Sequence, residues 1–122
     1  MLMSSKVLRE VGRWDESLLL YGEETDFALR ARAAGHVLRY EPRSEMVHLS
    51  GDAYATNPEL FALMAVNKVV VYRRWHGHLR SSAFFGAVTL GVAVRAAAGR
   101  RTARRGLTAL VRPATRLSAL PG

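Results

Sequence analysis

Three carboxylates stand within four positions of one another in Glu23-Glu24-Thr25-Asp26, directly after Gly22 and directly before the run Phe27-Ala28-Leu29-Arg30-Ala31-Arg32-Ala33-Ala34. Carboxylates grouped in this way have two uses. In the first turn of a helix they complement the positive end of the helix dipole, which stabilises by a few tenths to about 1 kcal/mol each. In a site that holds a hydroxyl compound, one of them can act as general base, accepting the proton as the oxygen forms a new bond. Few other residues have chemical capacity. His48 lies between Val47 and Leu49-Ser50-Gly51, Trp14-Asp15 lies in a turn, and His76 and His78 make a pair for which the sequence places no third ligand. The chain contains no cysteine, which excludes disulfides, thiolate-bound zinc, iron–sulfur clusters and a thiol nucleophile, and fits a reducing compartment.

The elements that must position these groups can be read from periodicity and punctuation. Val7, Leu8 and Val11 share a helical face that Gly12 ends. The acids at 23, 24 and 26 open a second helix, arginines follow them, and Gly35 stops it. His36-Val37-Leu38-Arg39-Tyr40 alternates as a strand closed by Pro42, and Met46-Val47-His48-Leu49 reads as another. Asn57-Pro58-Glu59 opens a longer helix, in which Leu60, Met64, Asn67 or Lys68, Val71 and Trp75 follow one side. The expected fold class from this order is therefore an α+β fragment.

Charge divides the chain in two. Residues 1–72 hold ten acids against eight bases, a net −2, whereas residues 73–122 hold ten arginines and no acid, a net +10. The uncharged run from Ser82 to Val94 has thirteen residues, too few to cross a bilayer, which takes about 20. Beyond it, Leu107, Leu110 and Val111 with Arg104, Arg105 and Arg112 suit an amphipathic helix lying on an anionic surface. With 122 residues and 49% hydrophobic content the chain can bury a core but leaves no room for a two-lobed enzyme. Met1 to Lys6 has no apolar segment of the kind a secretory signal needs.

Residues 1–51 resemble the C-terminal half of the catalytic domain of inverting family 2 glycosyltransferases, the GT-A group that includes many bacterial rhamnosyltransferases. The resemblance rests on Met1-Leu2-Met3, Val11-Gly12-Arg13-Trp14-Asp15-Glu16, Tyr21-Gly22-Glu23-Glu24-Thr25-Asp26-Phe27, Leu29-Arg30-Ala31-Arg32-Ala33-Ala34-Gly35 and Val47-His48-Leu49-Ser50-Gly51, in that order. It implies that Glu24 is the catalytic base, with Glu standing where the family more often has Asp. Glu23 and Asp26 would flank the base and shape the acceptor pocket, Trp14 and Asp15 would sit beneath the acceptor, and His48 would lie near the donor diphosphate or its metal. Asn67-Lys68 with Arg73-Arg74 loosely resembles the family's Arg-Asn motif in the following helix.

The same resemblance implies a C-terminal half of a GT-A (α/β, Rossmann-like) domain followed by a helical basic tail. Residues 1–56 would form its acceptor side, 57–79 a helix packed after it, and 80–122 the basic, apolar-patched tail. The implied partners are a nucleotide-sugar donor and a glycan or lipid-linked acceptor, in cell-envelope synthesis. The implied cofactor is a divalent metal, Mg2+ or Mn2+, held mainly by an N-terminal half whose Asp-x-Asp and phosphate loop this sequence lacks. On this reading the chain starts within a strand of the family's fold and sits at the cytoplasmic inner face of the plasma membrane, on anionic lipid through residues 80–122. The rival readings are a small nucleic-acid-binding protein, for which the arginines would be the electrostatic footprint, and a peripheral membrane protein without catalysis. Nucleic acid is disfavoured because no aromatic residues interleave with the terminal arginines.

Overall fold

The computed structural model describes residues 2–47 and 53–119. They form six helices and no strand: α1 (Ser5–Val11), α2 (Glu23–Ala33), α3 (Ala53–Thr56), α4 (Pro58–Trp75), α5 (His78–Ala97) and α6 (Arg101–Val111), with short 3-10 turns at Glu16–Leu18 and Pro113–Thr115. Helix, 3-10 turns included, takes up 68% of the described residues, which overturns the expected α+β, Rossmann-like GT-A fragment. The strand expected at 36–40 fails for a physical reason. A strand's backbone groups need a neighbouring strand, and among the described residues there is none. Residues 36–40 are coil without strand pairing, with Val37, Leu38 and Tyr40 facing solvent. Met46 and Val47 are likewise exposed coil, and the rest of that expected strand, His48-Leu49, lies outside the described residues.

The helix starts follow their local signals. Ser4 accepts a hydrogen bond from the Val7 amide to cap α1. Asn57 Oδ1 accepts from the amides of Glu59 and Leu60 to cap α4, with Pro58 in the first turn. Helix α4 is the centre of the molecule. Ala62, Ala65, Val66 and Val69 face α5 and α6, while Leu63, Asn67 and Val71 are buried on its other flank. Burial around most of its circumference, rather than along the single side that the sequence suggests, marks a helix enclosed by neighbours.

The main core is made where α4 meets α5 and α6. Small side chains at Ala65, Ala96, Ala103 and Ala109 let the helices approach closely, and Val92, Leu110 and Phe61 fill the remaining space. The apolar side of α6 is thus spent on protein packing, and only Val111 of its expected lipid-facing residues remains exposed. Arg105 leaves α6 to pair with Glu59 at 2.7 Å and to donate to the Thr115 carbonyl. Among the described residues no helix is long and apolar enough to cross a membrane.

Gly106 fixes the closest approach in this core. A Cβ at that position would stand 2.7 Å from the ring atoms Cδ1 and Cε1 of Phe61. Gly106→Ala should therefore lower the thermal midpoint, because overpacking costs about 1–3 kcal/mol and exceeds the helix-propensity gain of up to about 1 kcal/mol. A midpoint that stays level or rises in thermal unfolding would refute the contact.

Candidate functional site

The α2 N-terminus is approached by a loop, residues 12–22, whose path is set by a few buried anchors. Leu18 is fully buried, and Phe27 at the start of α2 is equally enclosed under Trp14, whose ring centroid lies 4.8 Å away. Asp15 caps the 3-10 turn by accepting from the Ser17 amide at 2.9 Å. Between these anchors the backbone is strained. Leu19 and Tyr21 have φ of 58° and 64°, a region that costs a non-glycine residue on the order of 1–3 kcal/mol, and Gly22 follows at 105°. A Cβ on Gly22 would press on Val71 Cγ2 at 3.2 Å, so glycine answers both the backbone angle and the contact with α4.

Asn67 of α4 holds this strained segment. Its side-chain amide donates to the Leu18 carbonyl and, at 2.8 Å, to the Leu20 carbonyl. The amide is buried, so both carbonyls obtain from it a partner that water does not supply there.

A charge network ties the same loop to both helices. Asp26, only 3% exposed, accepts from Arg30 Nε at 2.9 Å and from Arg74 Nη1 at 3.1 Å. Arg30 also donates to the carbonyls of Val11 and Arg13, at 2.8 and 2.9 Å, so it closes the C-terminal end of α1 as well. Arg74 reaches Asp15 at 2.5 Å and the Ser17 hydroxyl at 3.3 Å. Hydrogen bonds from Ser17, with help from Arg74, hold the Asp15 carboxyl below its ordinary range. Burial opposes the charge on Arg74, but hydrogen bonds to Asp15 and Asp26 outweigh it and raise that guanidinium above its ordinary value.

The residues nominated from sequence therefore separate by environment. Trp14, Asp15 and Asp26 are engaged in holding the loop. Glu24 is exposed and makes no hydrogen bond or ion pair with any described residue, and Glu23 has one carboxylate oxygen, Oε2, enclosed and without a partner. His48 lies outside the described residues. The described residues contain no group of three His, Asp or Glu side chains able to hold a metal ion. Beside the first turn of α2 a cleft of about 380 Å³ opens between α2, α4 and α5, lined by Tyr21, Thr25, Lys68, Tyr72, Trp75 and Phe84. Tyr72 in it is sandwiched between His76 and Phe84, with centroids 3.8 and 3.9 Å away.

Asn67 and Arg74 carry positions that the sequence did not assign them. The available signal was a polar residue on the otherwise apolar flank of α4, but their partners are 47 to 59 positions away in the chain.

Two measurements check this arrangement. Asn67→Ala should destabilise by about 1–3 kcal/mol, and the nearly isosteric Asn67→Asp by more, because it turns an acceptor toward two buried carbonyls. Equal stability of the Asp variant would show that the amide is not the donor. Asp15 has a depressed pKa in the folded chain, so its contribution is present above its unfolded value and is lost as pH falls through the folded one. Asp15→Asn should therefore lower the thermal midpoint at pH 7, and the difference from wild type should shrink below about pH 4. A pH-independent difference would mean that the charge plays no part.

Comparison of the chain with family models, with curated proteins and with solved structures finds no match in any of the three.

Proposed function

We propose that the chain supplies the acceptor side and the catalytic base of an inverting glycosyltransferase that uses a nucleotide-sugar donor. The observation that carries the reading is the contrast within the acidic cluster. Asp15 and Asp26 are neutralised by arginines, whereas Glu24 and the enclosed Oε2 of Glu23 stay free to accept hydrogen bonds at the start of α2. The motif resemblance around Gly22 and Leu29-Arg30 supports it, and the all-helical fold gives it no support. In the step, the Glu24 carboxylate takes the proton of an acceptor hydroxyl while that oxygen attacks the anomeric carbon. The carbon's bond to the nucleoside diphosphate breaks, the diphosphate leaves with the bonding pair, and the configuration inverts.

The donor nucleotide and its cation are assigned to a separate βαβ unit, since the chain has neither an Asp-x-Asp nor a Gly-rich phosphate loop. The acceptor is assigned to the cleft beside Thr25. Its aromatic lining of Tyr72, Trp75 and Phe84 suits the apolar face of a sugar ring or the first part of a lipid carrier. The reaction is placed at the cytoplasmic face of the plasma membrane, in cell-envelope glycan or glycolipid synthesis.

The test is transfer from nucleotide-sugars to glycan acceptors by the chain assembled with such a donor-binding unit. Glu24→Gln should reduce turnover by about 10²–10⁴-fold, the usual contribution of a general base. Its thermal midpoint should fall only slightly, because the exposed Glu24 makes no side-chain contact and Gln removes no more than its few tenths to about 1 kcal/mol of interaction with the helix dipole. Full turnover in the Gln variant would remove Glu24 from catalysis.

A further inference from the structure

Helix α5 is buried on one side only. Ser81, Val92 and Ala96 are buried, and Phe84, Phe85 and Val88 pack partly against the core. The opposite side carries Leu79, Ala83, Gly86, Leu90, Val94 and Ala97 at the three- and four-residue spacing of one helical face, with no charged residue among them. Leu79, Leu90 and Val94 are 86%, 67% and 61% exposed, so no described part of the chain covers this face. Over twenty residues it extends about 30 Å. An apolar strip of that length on an otherwise packed helix marks a contact surface.

The charges around the strip decide what it contacts. Exposed Arg80 stands at one edge of the strip, whereas Arg95 lies further round the helix, where its Nη1 donates to the Gly91 carbonyl at 2.9 Å. On that other side of α5, a cavity of about 470 Å³ between α4, α5 and α6 is rimmed by Lys68, Arg95 and Arg100, with apolar walls from Phe61, Met64 and Val88. Every charged side chain after Glu59 is basic. An acyl layer below and anionic headgroups at the rim match this pattern. A nucleic acid would require the cations on the contact face itself, and the α5 face has none.

We propose that the outward face of α5 lies in the plane of an anionic lipid bilayer, with Arg80 at headgroup level and the remaining arginines after Glu59 supplying the attraction to the anionic surface. This moves the membrane contact from α6, whose apolar side is occupied by α4, to α5. It is independent of the glycosyltransferase reading, since it needs neither Glu24 nor a donor.

The test is co-sedimentation of the full chain with vesicles of phosphatidylcholine alone or with phosphatidylglycerol added. Binding should need the anionic lipid and weaken with salt. Leu90→Glu should weaken it by about tenfold or more, given the transfer free energy of a leucine side chain. Val37→Glu, at an equally exposed apolar residue outside the face, should leave it unchanged. Both substitutions are at exposed sites, and circular dichroism checks that the helices persist. Because the chain has no cysteine, Leu90→Cys carrying a polarity-sensitive fluorophore should shift to the blue on anionic vesicles. Absence of binding to anionic vesicles, undiminished binding by the Leu90→Glu variant, or an unshifted probe would each overturn the proposal. So would a dimer in solution that Leu90→Glu dissociates, which would assign the face to a second copy, or tight DNA retention without vesicle binding.

Discussion

Asp26 is the charge on which the N-terminal part of the molecule depends. It is almost wholly out of water, and its two oxygens are taken by guanidiniums from two directions, Arg30 on its own helix and Arg74 on α4. An ion buried to this degree tolerates no missing partner, since removing one member of a buried pair typically costs about 3–5 kcal/mol. The two arginines are then committed, and their remaining donors are used on what lies within reach: the Val11 and Arg13 carbonyls by Arg30, Asp15 and Ser17 by Arg74. One buried carboxylate thus fixes the end of α1, the loop, α2 and α4 relative to one another.

The orientation of the acidic cluster follows from that anchor. At about 100° per residue, side chains two apart on a helix point to nearly opposite sides. With Asp26 drawn inward, Glu24 has to face outward, and Glu23 falls between the two and is half-buried. The strained backbone at Leu19 and Tyr21 is sustained by the same framework, with Leu18 buried on one side and the Asn67 amide on the other. The backbone at the start of α2 is thus held in place, while the exposed Glu24 side chain stays free of contacts with the described residues.

The sequence revealed elements whose signals are local. The Asn57-Pro58 start of α4, the acidic first turn of α2 and the glycine after α1 depend on neighbours within a few positions. It failed where the outcome depended on a distant partner. Residues 36–40 have the alternation of a strand, but alternation has meaning only beside another strand. The amphipathic pattern of α6 was plain, yet a pattern specifies an apolar surface as partner without saying whether that surface is lipid or another helix, and here it is α4. At the candidate site, the motif picked out Glu23, Glu24 and Asp26 together; only tertiary contacts sort the engaged carboxylate from the free ones.

Helix α4 joins the two proposals in one frame. One flank carries Asn67 and Arg74, which hold the loop and α2, and the other supports α5 and α6. If α5 meets a bilayer as proposed, that contact would be registered, through a single packed helix, against the start of α2. The cleft between them has Thr25 of α2 at one wall and Phe84 of α5 at another, with an apolar and aromatic lining and Lys68 at its edge. An acceptor whose hydroxyl end is polar and whose carrier is a lipid would meet these surfaces in the right order, the carrier leaving along α5 and the hydroxyl reaching the start of α2. The rigidity of α4, rather than any direct contact between α2 and the membrane face, is what would keep that distance constant.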